Sequence, residues 1–159
     1  MPSLSKTYIM QNSRDTIEVL NDLIQINNDR IIGYEKAIRE TKPEDSDLKV
    51  LYASMVAESH RMKIALAVEV QTLGAEIEQG TTTSGKIYRA WLEVKAAFTG
   101  HNRHAILANC ESIEEATQRA YRSALNRDLP AFIRDLLTRQ QDALEASHEE
   151  VRSLRDQYA

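Results

Sequence analysis

Apolar residues recur at helical spacing in four long stretches of the chain. The first stretch covers residues 13–41, and the second carries an apolar stripe over residues 48–77. The third covers about residues 102–126, and the fourth begins at Pro130, a residue favoured in the first turn of a helix. Apolar positions three or four residues apart form one face of an α-helix. The pattern therefore predicts four amphipathic helices.

The connection between the second and third helices is long and partly helical. Residues 80–85 interrupt the apolar pattern, and residues 86–98 then form a shorter amphipathic segment in which Trp91 packs as a hydrophobic plug. A helical segment of this length carries the chain along the bundle, because a helix rises about 1.5 Å per residue. Two helical hairpins joined by such a crossover form the ferritin-like arrangement.

The predicted fold is therefore all-α: a ferritin-like four-helix bundle with a short extra helix in the crossover between helices 2 and 3. An up-down-up-down bundle in which the short helix is an ornament remains the alternative. Residues 1–12 are predicted to be an N-terminal tail, and residues 13–159 a single bundle domain.

Composition narrows the class of protein. The 159 residues carry a net charge of −4, with 20 basic and 24 acidic residues mixed along the chain, so no basic block indicates nucleic-acid binding. No run of about 18 apolar residues and no basic-then-apolar leader is present, so we expect neither a membrane span nor a signal peptide. The one cysteine, Cys110, cannot form an internal disulfide, and a cytoplasmic location is the simplest expectation.

Polar residues interrupt the apolar stripes at matching heights. Asn27 and Glu58 are nearly equally far from the first helical turn, near residue 43. In the second half of the chain, two acids of the third helix and an acid and a histidine of the fourth are similarly matched about the turn near residue 129. These four residues are Glu111, Glu114, Glu145 and His148.

Carboxylates that meet in the middle of a bundle repel one another and must be neutralised, share protons or turn towards water. Inward-facing Glu residues and Glu-x-x-His motifs hold iron or manganese in bundles of this kind. The sequence thus predicts a metal site formed by Glu58, Glu111, Glu114, Glu145 and His148. A hydrogen-bonded polar layer without metal, or a set of residues that faces solvent, would produce the same pattern.

Several strings resemble those of uncharacterised bacterial four-helix-bundle proteins of the ferritin-like superfamily. They are VLNDLIQINNDRIIGYEKAI, MVAESHRMKIAL, SGKIYRAWLEVK, ILANCESIEEATQRAYRSAL and HEEVRSLRD, and the resemblance covers about residues 14–157. It implies a ferritin-like fold and a relation to metal handling or stress.

The chain also resembles rubrerythrins and ferritins more distantly, with departures in its first half. Asn27 stands where their first helix has a ligand Glu, although Tyr34 matches the tyrosine that follows seven residues later. Arg61 stands where their second helix has the His of Glu-x-x-His. The resemblance therefore implies that only the second half of the di-metal site is kept. We expect the Arg61 guanidinium to pair with a carboxylate of the site, such as Glu58, and to replace the charge of one missing cation.

Two kinds of function follow from these observations. The first is a non-enzymatic bundle with a degenerate di-metal site, which acts in stress physiology through partner binding or self-association. The alternative is a protein that binds iron or manganese for storage, sensing, or oxidase or peroxidase chemistry. No catalytic residues and no organic cofactor are predicted, since the sequence contains no Gly-rich phosphate loop and no Ser/His/Asp pattern. A homodimer is expected, and Tyr52 and Tyr88 line either its interface or a local contact around the short helix.

Overall fold

The computed structural model describes residues 2–77, 87–88, 100 and 102–157, with side chains from residue 13 onwards. It contains α1 (Pro2–Glu40), a 3-10 turn (Pro43–Asp45), α2 (Ser46–Thr72), α3 (Arg103–Leu125) and α4 (Ala131–Gln157). Over these residues the chain forms helices and no β-strand. The all-α prediction is therefore confirmed for the described part of the chain.

The four helices close into a bundle, because each packs against two neighbours. α1 packs against α2 and α3, and α4 packs against α3 and α2. The apolar interior forms two clusters. One contains Leu23 and Leu66, and the other contains Tyr34 and Leu107. A layer of buried polar side chains lies between the two clusters, and it includes Arg30.

Side-chain hydrogen bonds hold both ends of α3. Asn102 caps α3, because its Oδ1 accepts a hydrogen bond of 2.8 Å from the backbone N–H of Ala105. At the other end of α3, Arg134 Nη1 donates to the carbonyl oxygen of Leu125 at 2.6 Å. These contacts satisfy backbone groups that have no partner inside the helix. They fix where the helix begins and ends. They therefore also fix which residues of neighbouring helices lie at the same height in the bundle.

The helix ends differ from the prediction at two places. α1 begins at Pro2 rather than near Ser13, so the helix continues through the residues expected to form a tail. α2 ends at Thr72, earlier than its apolar stripe suggests, since Gly74 adopts a φ of +81° that an α-helix cannot contain. Ile77 follows the helix and packs against the core from outside it. The division into tail and single domain stays a prediction.

The crossover segment contacts α1 through two buried acids. The backbone N–H of Ile87 donates to Asp22 Oδ2 at 3.2 Å, and the Tyr88 hydroxyl donates to Asp29 Oδ2 at 2.6 Å. Both crossover residues are helical. The rest of the predicted short helix, including Trp91, lies outside the described residues, so that helix stays a prediction.

Candidate functional site

Arg30 lies at the centre of the polar layer with a side chain that is 0% exposed. Its Nη2 donates to Glu58 Oε1 at 2.9 Å and to Glu114 Oε1 at 2.6 Å, and its Nε also donates to Glu114 Oε1 at 3.2 Å. Its Nη1 donates to Ser59 Oγ at 2.7 Å. One guanidinium thus joins the carboxylates of α2 and α3.

Two hydroxyl groups complete this arrangement. Tyr34 donates to Glu114 Oε1 at 2.5 Å, and Ser147 donates to Glu58 Oε1 at 2.9 Å. Arg30, Tyr34, Glu58, Glu114 and Ser147 are called the Arg30 centre below. Every helix contributes to it, and the centre therefore depends on the whole bundle.

Charge and burial together determine the protonation of the Arg30 centre. Burial by itself lowers the pKa of Arg30, but the carboxylate of Glu114, Tyr34 and the carboxylate of Glu58 outweigh it and raise the pKa above its usual value. Burial, reinforced by Glu114, raises the pKa of Tyr34 well above its usual value. The guanidinium therefore stays charged and the phenol stays a hydrogen-bond donor. With both carboxylates ionised, the centre carries one net negative charge.

A neutral network lies beside the Arg30 centre. Asn27 Nδ2 donates to the Tyr121 hydroxyl at 3.1 Å, and that hydroxyl donates to Gln140 Oε1 at 2.7 Å. Gln140 Nε2 in turn donates to the carbonyl oxygen of Met62 at 3.2 Å. Asn27 thus uses its amide on Tyr121 and on the carbonyl of Leu23, not on Glu58. Burial raises the pKa of Tyr121, which keeps its hydroxyl protonated.

A second cluster of polar groups lies between α3 and α4. Glu111, Glu115 and His148 each place one metal-ligating atom within 4.8 Å of the other two, and they are called the Glu111 cluster below. Glu111 is also paired with Arg155, and its Oε1 lies 3.6 Å from Arg152 Nε. In this cluster, therefore, guanidinium groups already compensate the acid.

The histidine of the Glu111 cluster is poised as a neutral ring. His148 is buried, its Nε2 lies 3.7 Å from Glu111 Oε1, and its Nδ1 lies 3.3 Å from Gln118 Oε1. Burial lowers the pKa of His148, and the nearby Arg152 lowers it further. A neutral imidazole has a free nitrogen lone pair, which is the form that binds a metal ion.

Comparison with known proteins places the chain in a family. A family model described as "Domain of unknown function (DUF2383)" matches residues 15–127, most of the chain. The chain belongs to the DUF2383 family. A search of curated proteins finds no match.

The fold of this DUF2383 protein is similar to that of a protein of solved structure. The chain of a mutant of Mycobacterium smegmatis Dps1 superposes with a TM-score of 0.77 at 16% sequence identity, and the match covers 90% of this chain and 96% of that one. At this identity the likeness concerns the fold alone. It confirms the predicted ferritin-like bundle. In the described part of the DUF2383 chain, no helix is both long and apolar enough to cross a membrane.

The five residues predicted as one metal site lie in different places in the DUF2383 structure. Glu58 and Glu114 belong to the Arg30 centre, whereas Glu111 and His148 belong to the Glu111 cluster. Glu145 is exposed, so the prediction that it faces the interior was wrong. The buried face of α4 passes through Leu144, Ser147 and His148, and a residue next to Leu144 is turned by about 100° around the helix. Ser147 occupies the inward position instead.

The predicted role of Arg61 was also wrong. Arg61 is exposed, and the described residues include no ion pair to it. Arg30 supplies the guanidinium instead, from α1 rather than α2. The sequence offers a signal for this residue, because Arg30 lies three positions after Asn27 and four before Tyr34, on the same face of one helix. The general tendency of arginine to lie at the surface hides that signal.

His60 is exposed, whereas Cys110 is buried. Burial raises the pKa of the Cys110 thiol, so it is unreactive as a nucleophile. Tyr52 and Tyr88 are buried within the chain, which excludes them from an exposed dimer interface, and Tyr52 packs against Tyr34 in the core.

Proposed function

We propose that this protein is a non-enzymatic, ferritin-like bundle with a structural or regulatory role in stress physiology, in which an arginine stands where the related fold would hold metal ions. The observation that supports the proposal is the position of Arg30, fully buried and hydrogen-bonded to both Glu58 and Glu114. A permanent organic cation balances one of the two acidic charges that a metal ion would otherwise have to balance.

The donor set of the Arg30 centre does not fit a divalent metal ion. Glu114 Oε2 is buried without a hydrogen-bond partner, but an ion that bound it and Glu58 would lie beside a guanidinium already within 3 Å of Oε1 of both acids. Repulsion between a divalent ion and a guanidinium about 4 Å apart amounts to about 8 kcal/mol at an effective dielectric constant near 20. Binding would therefore require Arg30 to leave a position in which it is buried and fully paired.

Manganese titration tests this assignment when the Glu111 cluster is disabled. In a His148→Ala background, we expect no Mn²⁺ binding by calorimetry and no Mn²⁺-dependent rise in melting temperature. Asn27→Glu together with Arg30→Ala, in the same background, restores a first-helix acid and removes the guanidinium. This variant should bind Mn²⁺ and be stabilised by it. Mn²⁺ binding by the His148→Ala parent that disappears on Glu58→Gln would overturn the proposal.

A second candidate function is binding of one divalent ion, iron or manganese, at the Glu111 cluster. The supporting observation is the convergence of Glu111, Glu115 and His148 within 4.8 Å, with two carboxylates and a neutral imidazole as donors. Arg155 would have to release Glu111, which its partial exposure allows. The ion would supply a Lewis acid or a redox centre. Glu111, Glu115 and His148 would hold it between α3 and α4, with ligands different from the residues of the Arg30 centre.

Variants of the Glu111 cluster test this second function. His148→Ala and Glu111→Gln should each abolish Mn²⁺ binding in calorimetry, with helix content by circular dichroism unchanged. Glu145→Gln is the matched control, because Glu145 is exposed on the same helix. Equal Mn²⁺ binding by the wild type, both cluster variants and the control would exclude this site. The proposal for the Arg30 centre would be unaffected by that result.

We further propose that the protein is a cytoplasmic homodimer that binds neither nucleic acid nor membrane. A single buried thiol and an even mixture of charges support the location and the absence of nucleic acid. Fractionation of cells tests the cytoplasmic location, and sedimentation of the purified chain tests the homodimer.

A further inference from the structure

The outward face of α2 differs from that of α4. The exposed residues of α4 include Asp135, Arg139, Asp142, Glu145 and Glu149, a pattern typical of a helix face in water. On α2, in contrast, Val50 is 71% exposed, Ile64 66% and Val68 52%. These are three of the five large hydrophobic residues exposed in the described part of the chain.

The exposed residues of α2 follow the spacing of a coiled-coil seam. Val50, Ser54, Ala57, Arg61, Ile64 and Val68 are all exposed, and successive members are 4, 3, 4, 3 and 4 residues apart. Positions that alternate in this way form one narrow stripe that pairs with a second helix. They are called the α2 seam below. No other described element covers it.

The α2 seam is complementary to itself when two copies of α2 run antiparallel. A two-fold axis that crosses the seam at the height of residue 59 places Val50 opposite Val68 of the partner subunit. The same axis places Ser54 opposite the partner's Ile64. Each small residue thus faces a large one, which is the requirement of a self-complementary two-fold contact. Antiparallel helices also avoid the alignment of their dipoles.

The same axis brings opposite charges together. Glu58 lies one position beyond Ala57 at the edge of the seam, where its side chain remains 17% exposed. In the antiparallel register, Arg61 of the partner subunit stands beside this edge. Glu58 and Glu114 share the single charge of Arg30, so the Arg30 centre holds one excess negative charge when both are ionised. Arg61 of the partner subunit would balance it.

We propose that the α2 seam binds a second copy of the chain in this antiparallel register, and that Arg61 of the partner subunit pairs with Glu58. The inference gives a surface and a register to the homodimer proposed above. It depends on the Arg30 centre only for the excess charge. The arginine that replaces a histidine in the second helix thereby acts between subunits.

Sedimentation velocity over a range of concentrations tests the surface. The wild type should dimerise reversibly, and Ile64→Glu should raise the dissociation constant by about tenfold or more, because the contact would bury a charge that has no partner. Phe132→Glu is the matched control, since Phe132 is 55% exposed outside the seam and its variant should dimerise normally. Val68→Glu repeats the test if Ile64→Glu does not fold. A wild type that stays monomeric, or loss of the dimer in Phe132→Glu alone, would overturn the proposal.

Paired substitutions test the register. Arg61→Glu should weaken the dimer, and adding Ala57→Lys should restore it, because the new lysine faces the new acid across the axis. Unchanged circular dichroism and an unchanged melting temperature of the monomer would show that Arg61→Glu acts on the contact between subunits and not on the fold. Ser54→Cys combined with Ile64→Cys should give a disulfide-linked dimer under oxidising conditions. A dimer without this cross-link and without rescue by Ala57→Lys would contradict the register, while leaving the metal titrations of the Arg30 centre unaffected.

Discussion

The Nη2 atom of Arg30 lies 2.6 Å from Oε1 of Glu114, and neither side chain is exposed to solvent. A buried ion pair of this kind contributes little net stability against an apolar replacement, because both charges lose their hydration. Removal of one partner is costly, since the other charge is then buried alone. Substitution of either residue alone would therefore leave an unpaired charge in the polar layer.

Loss of the guanidinium should destabilise the fold strongly. Arg30→Met leaves the buried carboxylate of Glu114 without a cation, and we expect the free energy of unfolding to fall by about 3–5 kcal/mol. Urea denaturation measures this change. Arg39→Met is the control, because Arg39 is exposed near the end of the same helix and its loss should change stability by no more than about 0.5 kcal/mol. Equal effects of the two substitutions would contradict the assigned role of Arg30.

The hydroxyl of Tyr34 should be worth more than that of Tyr52. Tyr34 donates to the charged Glu114, whereas Tyr52 is beside the weakly accepting thiol of Cys110. Tyr34→Phe should cost about 1.5–3 kcal/mol of unfolding free energy, and Tyr52→Phe less than about 1 kcal/mol. Alkaline absorbance titration gives a second readout, since burial raises the pKa of Tyr34 and this phenol should ionise well above the usual pKa of tyrosine. A Tyr34→Phe variant as stable as the wild type would show that the bond to Glu114 is not formed.

Neighbouring positions on α4 should respond differently to alanine. Ser147 donates to both oxygens of Glu58, whereas Glu145 is exposed. Ser147→Ala should lower the unfolding free energy by about 1–2 kcal/mol, and Glu145→Ala should change it by about 0.5 kcal/mol or less. Thermal and urea unfolding of the two variants distinguish these values. A larger loss of unfolding free energy in Glu145→Ala than in Ser147→Ala would indicate that Glu145 faces the interior. It would contradict the buried face of α4, which contains Ser147.

The buried carboxyl group of Asp22 should give the fold a pH dependence. Burial is the main cause that raises the pKa of Asp22 from 3.8 to about 6. Between these values the folded state binds a proton that the unfolded state has lost, so the free energy of unfolding decreases as pH rises through this window. At neutral pH the full penalty is present, up to about 3 kcal/mol at 1.36 kcal/mol per pKa unit.

Substitution of Asp22 by asparagine tests this pH dependence. Asp22→Asn keeps an oxygen that can accept from the Ile87 N–H, yet it carries no charge. The variant should be more stable than the wild type near pH 7 and should lose the decrease between about pH 4 and 6. Asp142→Asn, an exposed change on α4, should retain the slope of the wild type. An unchanged slope in Asp22→Asn would assign the pH dependence to other groups.

The fold could be predicted from the sequence because its main signals are local. The apolar stripes around Leu20, Leu66 and Leu137 repeat with the period of a helix, and each of these residues is buried. The early end of α2 was not predicted, since Ile77 continues the apolar pattern beyond the helix. The start of α1 at Pro2 was missed for a related reason: the residues before Ser13 carry no clear apolar stripe.

The site could be predicted only in part, because it depends on contacts between helices. Equal distances from the two turns placed Glu58 and Glu114 at the same height, and both contact one guanidinium. The sequence does not reveal which arginine supplies that group, since Arg30 and Arg61 both lie within about one helical turn of the height of Glu58. Packing against the neighbouring helix buries Arg30 and leaves Arg61 exposed.

Anomalous diffraction from crystals grown with excess Mn²⁺ distinguishes a guanidinium from a metal ion between Glu58 and Glu114. We expect density for the Arg30 guanidinium there and no anomalous peak. A manganese peak within coordination distance of both carboxylates, with Arg30 displaced from them, would contradict it.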